Sequence, residues 1–179
     1  MMIRLKRLLQ EMSETDIQRC LKKIRNNEFQ LIAAGDNGRV YEINGEDKVF
    51  KITQERDEYE VADIIVNKYN EFTTFIPVYY VDGKNMYIMA NASELPIRLK
   101  KRIDLFLKDF AVFARSEGGE VSIFDFVSET DNIDAEIDNF LNALRVDIEK
   151  LQIPEFELDL DFRSDNIMIW NGKMVMVDW

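Results

Sequence analysis

An α+β chain is what these residues encode: an antiparallel five-stranded region built around one helix, then a mainly helical second half. Three observations carry that expectation. Between positions 29 and 90, short runs rich in Val, Ile, Phe and Tyr alternate with clusters of Gly, Asn and Asp. Inside that region, residues 54–69 switch to an apolar spacing of three and four. From Leu99 onward the helical spacing takes over until a closing pair of strands.

In chain order, M-M-I-R-L-K-R-L-L-Q interleaves basic and apolar residues, with no apolar run long enough for a signal peptide or a membrane span. Packing against the body of the domain is its expected use, ahead of a membrane-surface helix. Residues 2–12 read as a short helix. Ser13-Glu14-Thr15-Asp16 then offers a cap for a second helix, striped by Ile17, Cys20, Leu21 and Ile24. Cys20 reads as a small buried hydrophobe, since nothing near it in sequence would lower a thiol pKa.

F-Q-L-I-A-A, R-V-Y-E-I and K-V-F-K-I form a three-stranded meander, with Gly35-Asp36-Asn37-Gly38 and Asn44-Gly45-Glu46-Asp47 as its turns. The helix over 54–69 presents Val61, Ile64, Ile65 and Tyr69 on one side. Strands 76–81 and 86–90 pair around Asp82-Gly83-Lys84-Asn85. A helix over 99–114 carries Ile103, Leu105, Phe106, Leu107, Phe110 and Phe113. Another is marked by Ile133, Ile137, Phe140, Leu141, Leu144, Ile148 and Leu151, and the loop between the two holds a short element that the pattern leaves unassigned. Asn171-Gly172 is a two-residue hairpin signal joining strands 167–170 and 173–177.

Composition limits the chemistry. The 179 residues suffice for one good core or two small lobes; 46% hydrophobic and 32% charged residues, with seven Gly and three Pro, show no linker and favour one compact unit. A net charge of −11 repels a phosphate backbone, so nucleic acid is not an expected partner, and acidic substrates are disfavoured. One cysteine excludes an internal disulfide and fits a reducing, cytoplasmic setting; with no histidine, histidine bases and zinc sites drop out together.

The closing stretch places Asp161, Asn166 and Asp178 at intervals that phosphate chemistry uses, and its hairpin would bring Asp178 back beside Asn166. Upstream, the Gly35–Gly38 turn would let backbone N–H groups approach a polyphosphate, with Val40 behind it and Lys51 one strand later. Alone, each is a weak signal. Phosphoryl transfer asks for a carboxylate near the acceptor hydroxyl, hard oxygen ligands for magnesium and a cation on the phosphates, and all three residue types are present.

With those residues in view, the sequence resembles the protein-kinase-like superfamily from about Phe29 to its end. L-I-A-A-G-D-N-G-R-V-Y-E-I is similar to the glycine-rich loop, with Ala33 in place of its first glycine. K-V-F-K-I resembles the strand bearing the phosphate-binding lysine, here Lys51. D-L-D-F-R-S-D-N-I-M resembles the catalytic loop, and M-V-M-V-D-W the strand into D-F-G. The resemblance implies a two-lobed fold: a helical extension over 1–28, a strand-rich lobe over 29–93 and a reduced helical lobe over 94–179.

It also implies roles. Asp161 would be the catalytic base, Arg163 would lie near the transferred phosphate, and Asn166 and Asp178 would hold Mg2+. Gly35, Asp36, Asn37, Gly38, Val40 and Lys51 would bind ATP. Glu60, or failing it Glu58, would pair with Lys51. Ala90 would be the gatekeeper, with Asn91–Ser93 as the hinge whose backbone meets adenine. Asp159-Leu160 stands in place of His-Arg and Trp179 in place of Phe, and no activation segment follows within these residues, so regulation by phosphorylation there is not expected. D-F-R-S-D-N-I-M is most similar to the early host-shutoff serine/threonine kinases of short-tailed bacteriophages, which implies a protein Ser/Thr acceptor and the cytoplasm of a host cell. A non-catalytic kinase-like module that binds a partner, or a small-molecule phosphotransferase, are the competing readings.

Overall fold

The computed structural model describes residues 2–68, 71–118, 121–152 and 162–179, with side chains from Glu14 onward. The chain divides into two compact units, Met1–Tyr69 with Pro77–Asn91, and Asn70–Ile76 with Ala92–Trp179. Composition alone favoured one compact unit, whereas the contacts of the chain gather in these two.

In the first unit, α1 (Met2–Arg25) is one helix where the sequence pattern had divided it in two. The Ser13–Asp16 cap signal is overridden: no Gly or Pro interrupts the stretch, and the helix continues into the stripe that buries Ile17 and Cys20. It ends where Asn27 turns left-handed at φ 58°, with Asn27 N–H donating to Ile24 O and Glu28 N–H to Lys23 O at 3.1 and 2.9 Å.

The meander follows as β1 (Phe29–Ala34), β2 (Gly38–Ile43) and β3 (Lys48–Thr53), then α2 (Arg56–Asn67), β4 (Val78–Val81) and β5 (Met86–Ala90). The five strands lie in the order β1-β2-β3-β5-β4, every neighbouring pair antiparallel. β4 starts at Val78, not 76, because Pro77 has no N–H to give and Ile76 donates its own to Met176 O.

The strand period of two decides what each face does. Phe50 of β3 packs with Ile43, Ile88, and Ile17 and Cys20 of α1. Val49, Lys51 and Thr53 alternate onto the opposite face, the one that meets α2. A polar tie fixes α1 to the β2–β3 turn: Arg19 Nε and Nη2 reach the two carboxylate oxygens of Glu46 at 2.8 and 2.7 Å, and Lys23 Nζ reaches Glu46 at 2.7 Å. The hydrogen bonds from Arg19, then from Lys23, outweigh the cost of desolvation and hold the Glu46 carboxyl down at about 2.

The second unit holds α3 (Ile97–Ser116), α4 (Ile123–Glu129), α5 (Ala135–Leu151), a 3₁₀ turn (Ser164–Asn166), and the strands β6 (Ile167–Trp170) and β7 (Lys173–Met176). α4 is the element the sequence left unassigned. Ser122 accepts from Asp125 N–H while the Asp125 carboxylate accepts from Ser122 N–H, a capping box that starts a short helix out of a polar loop. Phe126 of α4 then meets Phe106, Phe110 and Phe113 of α3 at 5.2–5.7 Å between ring centroids. The β6–β7 hairpin turns on Asn171 (φ 49°) and Gly172 (φ 75°), both left-handed as a two-residue turn requires. No described helix is long and apolar enough to cross a membrane.

Candidate functional site

β3 carries Lys51 at its centre, in register with Val40 on β2 and Tyr87 on β5, so the three share one face of the sheet. Lys51 Nζ lies 2.6 Å from Glu58 Oε1, with side chains 7% and 1% exposed. Tyr87 OH donates to the same Glu58 oxygen, and Thr53 Oγ1 donates to the other at 2.5 Å. One buried carboxylate therefore takes an ammonium and two hydroxyls, which satisfies it in a setting where an unpaired charge is costly.

The partner of Lys51 is thus Glu58 and not Glu60. Glu60 lies exposed and pairs with Arg56 at 2.7 Å, one turn back on the outer face of α2. The reason is helical phase. Glu58, Val61, Ala62 and Ile65 are the buried positions of α2, spaced at three, four and seven from Glu58, and Glu60 falls off that stripe. Tyr87 and Thr53 escaped the sequence reading, although strand alternation from Lys51 places Thr53 on its face and the pairing of β3 with β5 adds Tyr87.

The glycine turn reaches the same place. Gly35 N–H donates to Gly38 O at 3.0 Å, and Asp36 and Asn37 form the exposed tip. A Cβ on Gly38 would come 2.7 Å from Ile52 O and 3.2 Å from Lys51 Cε, so β2 passes over Lys51 at a distance that only glycine permits. Gly38, Val40, Lys51 and Glu58 thus lie together on this face, and Glu60 does not join them.

Ala90 is buried at the end of β5, and its N–H donates to Pro77 O. Asn91 N–H donates to Asp47 O at 3.1 Å, and Ser93 exchanges both backbone bonds with Ile169 at 2.9 and 2.8 Å. The N–H groups of Asn91 and Ser93 thus serve the fold.

In the second unit, Asn166 ends the 3₁₀ turn and is buried, with its N–H given to Arg163 O. Its carbonyl accepts from Val177 N–H at 3.0 Å, one residue before Asp178. The hairpin thus returns Asp178 beside Asn166, because Ile167 pairs with Met176. Trp179 closes the segment edge-on against Phe75 at 5.6 Å. Arg163 is exposed, and Asp161 lies outside the described residues.

No group of three or more Cys, Asp or Glu side chains able to hold a metal ion occurs among the described residues. Asn166 and Asp178 are nonetheless the hard oxygen donors magnesium takes, and magnesium commonly completes its shell with substrate phosphates and water. This pair of donors therefore fits magnesium carried on a nucleotide.

No protein-family model and no curated protein matches the chain. Among solved structures it is similar to the streptomycin–ATP–APH(2")-IIa ternary complex, at 19% sequence identity and a TM-score of 0.38, over 91% of this chain and 69% of that one.

Proposed function

We propose that this chain is an ATP- and magnesium-dependent phosphotransferase of the protein-kinase-like kind. The observation that carries the reading is the buried Lys51–Glu58 pair with Gly38 lying against it. An ion pair kept for stability alone has little advantage over apolar residues of the same volume, because desolvating two charges offsets most of their attraction. A lysine held by a buried carboxylate under a glycine turn is instead suited to phosphate oxygens, which need a fixed cation and backbone N–H groups close by.

In this reading Lys51 binds the phosphates, and Glu58 holds its ammonium in place. The turn from Gly35 to Gly38 covers the phosphates with backbone N–H groups, and Val40 packs against the base. Asn166 and Asp178 hold the magnesium ion that bound ATP carries, which supplies the charge neutralisation phosphoryl transfer demands. Asp161 orients the acceptor hydroxyl, and Arg163 steadies the transferred group. The acceptor is a Ser or Thr hydroxyl of a protein, a choice that rests on the D-F-R-S-D-N-I-M resemblance.

Incubation with labelled ATP, magnesium and a generic protein acceptor should label the acceptor or the chain itself. Lys51→Ala and Asp161→Ala should each abolish transfer. Label that persists in both variants would sink the mechanism. Transfer only to small hydroxyl compounds would replace the acceptor and keep the site. A nucleotide-induced rise in melting temperature without turnover would make the chain a binding module instead.

A further inference from the structure

The outward face of α3 carries a stripe that folding leaves unused. Ile97, Leu105 and Val112 are 67%, 62% and 55% exposed, and with Val146 of α5 and Leu31 and Ile32 of β1 they are, among the described residues, the large hydrophobic residues most open to solvent. Lys101, Lys108 and Arg115, also exposed, fall between and after them. The order along the helix is Ile97, Lys101, Leu105, Lys108, Val112, Arg115, apolar and basic in strict alternation. The mean step is about 3.6 residues, so the six lie within an arc of about 80° and run straight along about 27 Å of helix. They face away from Leu99 and Ile103, which α3 buries.

The cations of this stripe differ from their neighbours on the same helix. Lys100 pairs with Asp165, and Arg102 with Asp134 and Glu136. Lys101, Lys108 and Arg115 have no ion pair among the described residues, although Asp104 and Asp109 lie on the margins of the stripe. In a chain of net charge −11, three unpaired cations in register with three exposed apolar side chains form a local inversion of the surface.

We propose that this face of α3 docks an acidic amphipathic helix of a partner protein. The spacing suits a helix, whose own three-and-four rows would set Asp or Glu against the cations and apolar side chains against Ile97, Leu105 and Val112. A second copy of the chain would oppose like charges along the whole seam. An anionic membrane would have to accept a chain carrying −11 for the sake of one narrow stripe. This inference does not rest on phosphotransfer.

Fluorescence anisotropy with a labelled synthetic helix of Leu and Glu at three-and-four spacing tests it, against a scrambled peptide of the same composition. The amphipathic peptide should bind about tenfold or more tightly than the scrambled one, and less tightly as salt rises. Lys101→Glu with Lys108→Glu should lower its affinity by about tenfold or more, and so should Leu105→Ser with Val112→Ser, with melting temperature unchanged. Equal binding of both peptides, or binding indifferent to these substitutions, would overturn the proposal. So would phosphatidylserine vesicles or self-association that competes for the same residues in place of the peptide.

Discussion

At Gly38 a Cβ would stand 2.7 Å from the carbonyl oxygen of Ile52, whereas at Gly35 it would meet nothing within 4 Å. Neither glycine has a left-handed φ, so the difference is one of space. Gly38→Ala should push β2 away from β3 and cost about 1–3 kcal/mol, in the range of core overpacking, while Gly35→Ala should stay within about 0.5 kcal/mol. Urea unfolding of the two variants checks this, and equal losses would contradict it. The glutamates of α2 separate in the same way. Glu58→Gln takes one carboxylate away from a buried ion pair, a kind of change that costs about 3–5 kcal/mol; Glu60→Gln loosens an exposed pair and should cost less than about 1 kcal/mol. The sequence named both glycines and both glutamates. It left the glycines unranked and put Glu60 ahead of Glu58, because the true order depends on which neighbour stands within 3 Å and on which helical face is covered.

Among the elements, strands and their turns were the most legible, since Asn171-Gly172, Gly83 and Gly45 sit where positive φ is needed and alternation fixes the facing side. Helix boundaries were harder to read. The Ser13–Asp16 cap signal lost to the continuity of α1, and α4 needed the reciprocal bonds of Ser122 and Asp125 to become visible. The anchor between α5 and the segment before β4 had no local signal at all, because its partners are more than seventy positions apart. Asp147, fully buried, accepts from Thr73 N–H at 2.6 Å, Thr74 N–H at 2.8 Å, Thr74 Oγ1 at 2.8 Å and Lys150 Nζ at 2.7 Å. Thr74 O in turn accepts from Met176 N–H of β7 at 2.7 Å. Asp147→Asn removes the charge that these donors share and places an NH2 group among them, for an expected loss of about 2–4 kcal/mol. Hydrogen exchange should speed up at Thr73, Thr74 and Met176 and stay unchanged along α1. A uniform change in both units would mean that Asp147 acts globally and not as a local anchor.

For the molecule as a whole, the absence of histidine removes the side chain that ordinarily titrates between about pH 5 and pH 8. The groups that do shift lie on either side of that window. Glu46 is lowered by its hydrogen bonds from Arg19, Asp134 by those from Arg102, and Asp47 by that from Lys48. In Asp147 burial pushes upward, and the bonds from Lys150, Thr73 and Thr74 together prevail and lower it. Each carboxyl therefore binds protons less readily when folded than when unfolded. Its contribution is complete above the unfolded value near pH 4 and is lost as pH falls through the folded one, which for Glu46 is about 2. Burial raises Cys20 and Tyr59, so their contribution runs the other way and is lost only on the alkaline side. Melting temperature should thus show a broad plateau from about pH 5 to about pH 8 and fall steeply below about pH 4. Glu46→Gln should lower the plateau and flatten the acid limb, since the variant has one fewer depressed carboxyl to lose. A step between about pH 6 and pH 7 would require a titrating side chain that this sequence does not contain.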